Sequence, residues 1–420
     1  MNFVRLGDVA DVCVSGVDKK TMPGEQAVRL CNYTDVYYNW TIRKELSQSF
    51  MMASARDGEI AKFRLRAGQV ALTKDSETRD DIGHPAYIAD DFEDVILGYH
   101  CALISPHVGI LDGQYLNGLL RTRHISDYLS RNAGGSGQRY YLSDSTIKAL
   151  PISLPPIDTQ LRIAGVLGSL DEKIALNRKK IAELEALAKT IYDYWFVQFD
   201  FPNKDGKPYK SSGGKMVWND QLKREVPEGW EVGVVGDYVE IHRGSSPRPI
   251  QDFLAPEGLR WLKISDASSS SSPFVFHIED HIRSEGKSNT VLLTAGNLVL
   301  SNSASPGIPK FLGVDSCIHD GWLYFPQSRV SREFLYLFFE SSRSSLVPQG
   351  NGSVFKNLKT DILKMFPMIK PNDELLRKFD SVATTLFNDI RTIVEENIVL
   401  VEQRDTLLPL LMNGQVKVAG

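Results

Sequence analysis

The stretch Leu142-Ser143-Asp144-Ser145-Thr146-Ile147-Lys148-Ala149-Leu150-Pro151 recurs as Leu358-Lys359-Thr360-Asp361-Ile362-Leu363-Lys364-Met365-Phe366-Pro367. The apolar positions, one lysine and the terminal proline coincide at an offset of 216 residues. Outward from this joint the correspondence continues. Gly135-Ser136-Gly137 matches Gly350-Asn351-Gly352, and Gly83-His84-Pro85 matches Gly307-Ile308-Pro309. Ala67-Gly68-Gln69-Val70-Ala71-Leu72 matches Ala295-Gly296-Asn297-Leu298-Val299-Leu300. Val28-Arg29-Leu30 matches Leu259-Arg260-Trp261, and Leu6-Gly7-Asp8-Val9 matches Val235-Gly236-Asp237-Tyr238. The offset drifts to 229 at the N-terminal end, which places the differences in loops. Such self-similarity predicts two like units rather than one cleft.

Each joint leads into a long heptad pattern. After Pro155-Pro156 come Ile163, Leu167, Leu170, Ile174, Asn177, Ile181, Leu184, Ala188, Ile191 and Trp195, spaced 4-3-4-3. The same offset gives Phe379, Ala383, Leu386, Ile390, Ile393, Asn397, Leu400, Arg404, Leu407 and Leu411. This is the a/d signature of helices that pack on each other. The duplication predicts an internal two-fold and hence an antiparallel pair. Each seam has one asparagine, which fixes register when it meets another. If Asn177 faces Asn397, then Ile181 faces Ile393, Ile174 faces Leu400, Leu184 faces Ile390, and Arg404 falls opposite Leu170 and snorkels. From Ile163 to Trp195, at ~1.5 Å per residue, the rod is about 48 Å long. That length matches roughly 14 base pairs.

Short strands broken by Gly, Pro, Asn, Asp and Ser open each repeat. A helical stretch follows near Tyr115–Leu129 in the first repeat and near Glu333–Ser341 in the second. The fold class is therefore α+β: two similar globules separated by a long antiparallel two-helix coiled coil, with an internal pseudo-two-fold duplication. The boundaries are 1–155 for the first globule, 156–199 for the first helix and 200–229 for a Pro/Gly/Lys/Ser-rich linker. The second globule is 230–370, and 371–420 holds the second helix and the C-terminal tail. Ser268–Ser272 reads as a mobile loop.

A chain of 420 residues, 42% hydrophobic and 24% charged, is an ordinary globular composition. Its net charge of −4 gives no global basic footprint. No apolar run is long enough to span a bilayer. The start lacks a signal-peptide core, so a cytoplasmic location with no membrane partner is expected. Cys13, Cys31, Cys101 and Cys317 lack zinc or redox spacing.

The motifs resemble the specificity subunit of type I restriction-modification systems. They include Ile152-Ser153-Leu154-Pro155-Pro156-Ile157-Asp158-Thr159-Gln160 with Arg162-Ile163-Ala164, and Leu170-Asp171-Glu172-Lys173-Ile174 with Leu176-Asn177-Arg178. Trp195-Phe196, Phe199-Asp200-Phe201, Val226-Pro227-Glu228-Gly229-Trp230 and Leu407-Leu408-Pro409-Leu410-Leu411-Met412-Asn413-Gly414 complete the set. The second joint departs, with Asn372-Asp373-Glu374 where the first has its Pro-Ile-Asp-Thr-Gln run. The resemblance implies two target-recognition domains, each reading half of a split double-stranded DNA site, and helices that set the unread gap. It implies partners: modification subunits, two in number, that methylate adenine with S-adenosylmethionine, and restriction subunits that use ATP and magnesium. It implies no cofactor and no catalysis in this chain. The rival reading is a coiled-coil scaffold with two protein-binding globules.

The sequence offers little to an enzyme. Gly286-Lys287-Ser288 lacks the glycine of a P-loop, since His281 stands at that position. His277 and His281 lie four apart without the glutamate of a metalloprotease, so no metal site is expected. Asp80-Asp81 and Asp90-Asp91 read as solvated loop charges. DNA contacts are expected from loops that combine cations, amides and aromatics. In the first globule these are Lys74, Ser76, Thr78 and Arg79, with Arg131, Gln138, Arg139 and Tyr140. In the second they are Asn302, Ser303, Ser305 and Lys310, with Asn351, Ser353, Phe355 and Lys356. Arg and Lys hold phosphate or guanine, and Asn and Gln pair with adenine. Arg29 and Arg260, repeated within strands, are expected to be structural. The coiled-coil seam comprises Ile163, Leu167, Leu170, Ile174, Asn177, Ile181, Leu184, Ile191, Leu386, Ile390, Ile393, Asn397, Leu400 and Leu407.

Overall fold

The computed structural model describes residues 3–346 and 357–418. The chain forms two compact units, residues 1–176 with 398–420, and residues 177–397. Both long helices form, over Ile157–Tyr192 and Asp373–Met412, the first continuing into a π-helical turn at Asp193–Val197. Asn372 caps the second, its Oδ1 accepting from Leu375 N at 2.9 Å. Pro409, which lacks a donor, lies in its last turn, and Gly414 follows with a φ of 70°.

In the first unit a five-stranded sheet has the order Ala10–Val14, Cys101–Pro106, Val70–Thr73, Pro85–Ile88, Thr41–Ile42. All its neighbours are antiparallel except the last pair. A second sheet sets Gln26–Cys31 between Met51–Ala55, antiparallel, and Val95–Leu97, parallel. Phe3–Arg5 pairs with Pro151–Ser153. The helices Gly113–Leu120 and Arg123–Asn132 cover one face, the first capped by Asp112 accepting from Tyr115 N at 2.8 Å.

The second unit repeats this plan. Its five-stranded sheet runs His242–Arg243, Trp322–Tyr324, Leu298–Ser301, Pro309–Leu312, Phe274–Val275, again with only the last pair parallel. Leu259–Leu262 again lies between an antiparallel neighbour, His281–Ile282, and a parallel one, Ser316–Ile318. Glu231–Val234 pairs with Pro367–Lys370. The duplication holds at single bonds: Leu6 N donates to Leu150 O, and Val235 N to Phe366 O, each at 2.9 Å. It also explains the repeated glycine of the Leu-Gly-Asp turn. A Cβ on Gly7 would lie 3.0 Å from Lys148 Cβ, and one on Gly236 would lie 3.2 Å from Lys364 O.

The long helices carry the cores. In the first unit Ile163, Leu167 and Ile174 are buried, and Leu170, Leu400 and Leu407 are half-buried. At Gly118 a Cβ would meet Leu167 Cδ1 at 3.2 Å, Leu408 Cδ1 at 3.3 Å and Met412 Cε at 2.5 Å, so only glycine lets this helix approach. In the second unit Ile181, Ile390 and Ile393 are buried, and Leu184, Ile191 and Leu386 pack against them. Asn177 Nδ2 donates to Asn397 Oδ1 at 2.9 Å and to Glu396 Oε2 at 2.8 Å. The expected asparagine pairing therefore forms. The rings of Phe196 and Phe379 lie 4.8 Å apart. Leu167 with Leu408, Asn177 with Asn397, and Phe196 with Phe379 have residue numbers that add to 574 or 575, so within each unit the helices run antiparallel.

Three expectations need correction. Residues 200–229 are not a free linker: Met216–Asn219 and Arg224–Pro227 form a hairpin. Phe199 and Phe201 anchor this segment, their rings 5.4 and 5.2 Å from that of Trp230. The Ser268–Ser272 run is not merely a loop. It ends the helix Ile264–Ser269, and the buried Lys310 ammonium donates to the carbonyls of Ser270, at 2.8 Å, and Ser272. Arg404 does not merely snorkel. Its guanidinium lies 3.9 Å from the Trp40 ring centroid, with Arg121 at 4.3 Å from the same ring.

Candidate nucleic-acid interface

In the first unit the two candidate loops come together. Asp75–Ser76 pairs with Tyr140–Tyr141, which pairs with Gly134–Gly135. Lys74 N donates to His100 O at 2.8 Å, and Leu142 N to Lys74 O at 2.7 Å. Gly135 has a φ of 106°, and a Cβ there would stand 2.1 Å from Arg139 O, so the turn that presents Arg139 requires glycine. Thr78, Arg79, Arg131, Gln138 and Arg139 are exposed, and Ser76 and Tyr140 half-buried. Arg79 donates to Ala133 O at 3.2 Å and lies 5.8 Å from the Tyr140 centroid.

At the centre of this surface is Asp75, 8% exposed. Its Oδ2 lies 2.6 Å from His100 Nδ1 and 2.9 Å from Lys74 Nζ. Burial pulls this carboxyl upward, but the bonds from His100 and Lys74 prevail and hold it below the ordinary carboxylate value. Lys74 is thus engaged within the protein rather than free. Arg29 also has an internal role, pairing with Asp94 at 2.6 Å, as expected of a structural residue.

The second unit places Asn302 and Ser303 at the corresponding point. Asn302 N donates to Gly321 O at 2.8 Å, Leu358 N to Asn302 O at 2.6 Å, and Ser303 bridges to Asn357. The turn His319-Asp320-Gly321 corresponds to the turn that carries His100. Asp320 gathers Ser246 Oγ at 2.8 Å, Arg248 Nη2 at 3.5 Å and Arg243 Nη2 at 3.7 Å. Burial raises its carboxyl, yet Ser246, Arg243 and His319 keep it below the usual range. Burial lowers the His319 imidazole, against the pull of Asp320. Beside them opens a cleft of about 750 Å³, with Trp261, Pro247 and Ile250 as apolar wall and Arg248, Lys263 and His319 as polar rim.

Lys310 is a correction among the expected contacts. It is 7% exposed and holds the serine segment, so it cannot reach a ligand. Asn302 is 3% exposed, and its Nδ2 donates to Asp320 O at 3.1 Å. Ser303 and Ser305 are half-buried. Asn351, Ser353, Phe355 and Lys356 lie outside the described residues. The search for cations and amides in loops missed Asp75, His100, Arg243, Arg248, His319 and Asp320. The repeat points to one of them. Ser15 N donates to Cys101 O and Gly244 N to Trp322 O, so the segments after these donors correspond, and Arg248 occupies the place of Lys19.

Among the described residues no three His, Cys, Asp or Glu side chains are grouped to hold a metal, and no helix is long and apolar enough to cross a membrane. His281 lies in a strand, so it does not share a helix face with His277.

Two matches to the type I restriction modification DNA specificity domain cover residues 1–186 and 227–390. The MjaIX specificity subunit of Methanocaldococcus jannaschii is 26% identical over 75% of this chain and 71% of its own length. The HindI specificity subunit of Haemophilus influenzae is 23% identical over 85% and 88%. The solved S subunit from M. genitalium shares the fold, with a TM-score of 0.54 at 13% identity, over 98% of this chain and 95% of that one. With both repeats matched and their equivalent surfaces in place, the chain belongs to the type I restriction-modification specificity family, as a specificity subunit with two target-recognition domains.

Proposed function

We propose that this chain reads a bipartite site on double-stranded DNA, one half-site per unit, and leaves the chemistry to its partners. The observation that carries this reading is the equivalence of two surfaces, around Lys74–Tyr140 and around Asn302–Asp320. They are built on the same strand ends but carry different side chains. Equivalent placement gives each surface the same approach to a duplex, and different side chains give each a different text. In the first surface the contacts are assigned to Ser76, Thr78, Arg79, Arg131, Gln138, Arg139 and Tyr140. In the second they are assigned to Ser303 and Ser305, with Arg243 and Arg248 replacing the buried Lys310. The paired long helices set the unread gap and dock two modification subunits. S-adenosylmethionine, ATP and magnesium serve the modification and restriction subunits, not this chain.

The test uses the chain assembled with its modification subunit. Selection from a random duplex library returns a split motif, and affinity falls steeply with salt. A flat library, with no enriched motif, refutes the reading. Comparing adenine methylation across the host genome with and without the gene then names the target.

A further inference from the structure

Three basic side chains converge on Asp75, and only one of them remains available. Lys74 has a side chain 12% exposed, bonded to Asp75, with its ammonium 5.4 Å from the Tyr99 centroid. His100 Nδ1 lies 2.6 Å from Asp75 Oδ2. Arg139, 55% exposed, stands 3.7 Å from the same oxygen. Its Nη2 is also 2.6 Å from His100 Nδ1.

One ring nitrogen cannot serve both neighbours. Carrying a proton, Nδ1 donates to Asp75 and confronts Arg139 with N–H against N–H. Lacking one, it accepts from Arg139 and turns a lone pair on the carboxylate. The carboxylate is buried and needs the donor, so the first arrangement prevails. The lone pair of the neutral ring then sits on Nε2, which Arg139 Nη2 reaches at 3.2 Å, so Arg139 is seated on His100 by that nitrogen. The seat itself is fixed. His100 has a φ of 75°, a region that non-glycine residues rarely adopt, and Lys74 N pins its carbonyl.

We propose that Asp75 and His100 are the positioning residues of the first recognition surface, and that Arg139, seated on them, is its base-reading arm, fitted to the paired O6 and N7 acceptors of a guanine. The inference rests on the DNA reading above. A phosphate contact needs only charge, whereas a base edge needs a planar fork held in one orientation.

The experiment compares wild-type chain, Arg139→Lys, Arg139→Ala, Asp75→Asn and His100→Asn, each assembled with the modification subunit. The readout is library selection together with the slope of log affinity against log salt. Arg139→Lys keeps the charge of an exposed side chain, and asparagine tolerates the positive φ of His100, so these two variants test the proposal even where Asp75→Asn fails to fold. Both arginine variants should lose preference for one G·C pair by about 10- to 100-fold. The other half-site should be unchanged. His100→Asn and Asp75→Asn should weaken preference at that same pair without altering the salt slope. The proposal is overturned if Arg139→Lys retains full preference at every position. It is equally overturned if Arg139→Ala lowers the salt slope by about one and leaves the motif intact, the mark of a phosphate contact. A wild-type complex with no motif refutes the DNA reading itself, a distinct outcome.

Discussion

Truncating Asn177 to alanine tests the register of the helix pair. Asn177 is 4% exposed and donates to Asn397 Oδ1 at 2.9 Å and to Glu396 Oε2 at 2.8 Å. The neutral bond is worth about 1 kcal/mol net, and one to a carboxylate about 1.5–3 kcal/mol when desolvated. Glu396 is exposed, so water replaces much of the second. Asn177→Ala should therefore destabilise the second unit by about 2 kcal/mol, and Asn397→Ala, which removes only the shared bond, by about 1 kcal/mol. The double variant loses the shared bond once, so the cycle should return a coupling of about 1 kcal/mol. Five of the six tryptophans, Trp195, Trp218, Trp230, Trp261 and Trp322, lie in that unit, so fluorescence during urea unfolding reports on it. Two units need not unfold as one, and amide exchange at residues near 177 and 397 supplies the local value. A coupling within about 0.3 kcal/mol of zero, the usual range for independent sites, would refute the pairing argument. Replacing both asparagines by leucine should raise stability, since an asparagine seam position costs stability in return for register.

Glu185 sets a pH dependence in the second unit. Burial, then Glu340 nearby, pushes its carboxyl up to about 7, against the pull of Lys310. The native state then holds a proton that the unfolded chain releases, so stability falls as pH rises from about 4.5 towards 7. Allowing for its partial exposure, the loss is about 1–2 kcal/mol. Glu185→Gln should flatten a series of melting curves across that range, and an unchanged slope would contradict the assignment. Gly113→Ala should destabilise the first unit by about 1–3 kcal/mol, because the new Cβ would lie 2.1 Å from Gly68 O. Gly58→Ala, in a helix with open space around it, should instead stabilise by about 0.5–1 kcal/mol; equal melting shifts for the two would defeat the steric argument. Arg404→Ala removes one guanidinium from Trp40 and should cost about 1–2 kcal/mol in the melting of the first unit, with Trp40→Ala abolishing the effect.

The parts of the fold that follow a period were readable from sequence. Heptad spacing placed Ile163, Leu167, Ile181 and Ile390 in the cores, and the count between asparagines placed Asn177 against Asn397. The 216-residue offset anticipated the matching bonds of Leu150 and Phe366. What escaped were outcomes decided by tertiary contacts. A polar segment, 200–229, is held because Phe199, just before it, and Phe201, within it, both find Trp230. Lys310 is buried because backbone carbonyls of a serine run accept its ammonium. Asp75 looked like one more loop charge beside the basic residues, and its value as their common partner exists only once His100 is brought to it across the sheet.

The asparagine contact also bears on which halves of the chain can recognise each other. Under the 216-residue offset Asn177 corresponds to Ile393, and Asn397 to Ile181. In the observed pairing like meets like, amide with amide and isoleucine within one apolar core. If either helix paired antiparallel with another copy of itself in the same register, each asparagine would confront an isoleucine, twice per interface. Each mismatch strands a carboxamide among methyl groups, at about 1–3 kcal/mol apiece. The two halves share one architecture, yet their seams disfavour self-association and admit the unlike partner, so a protein that originated by copying carries in two residues the means to tell its halves apart.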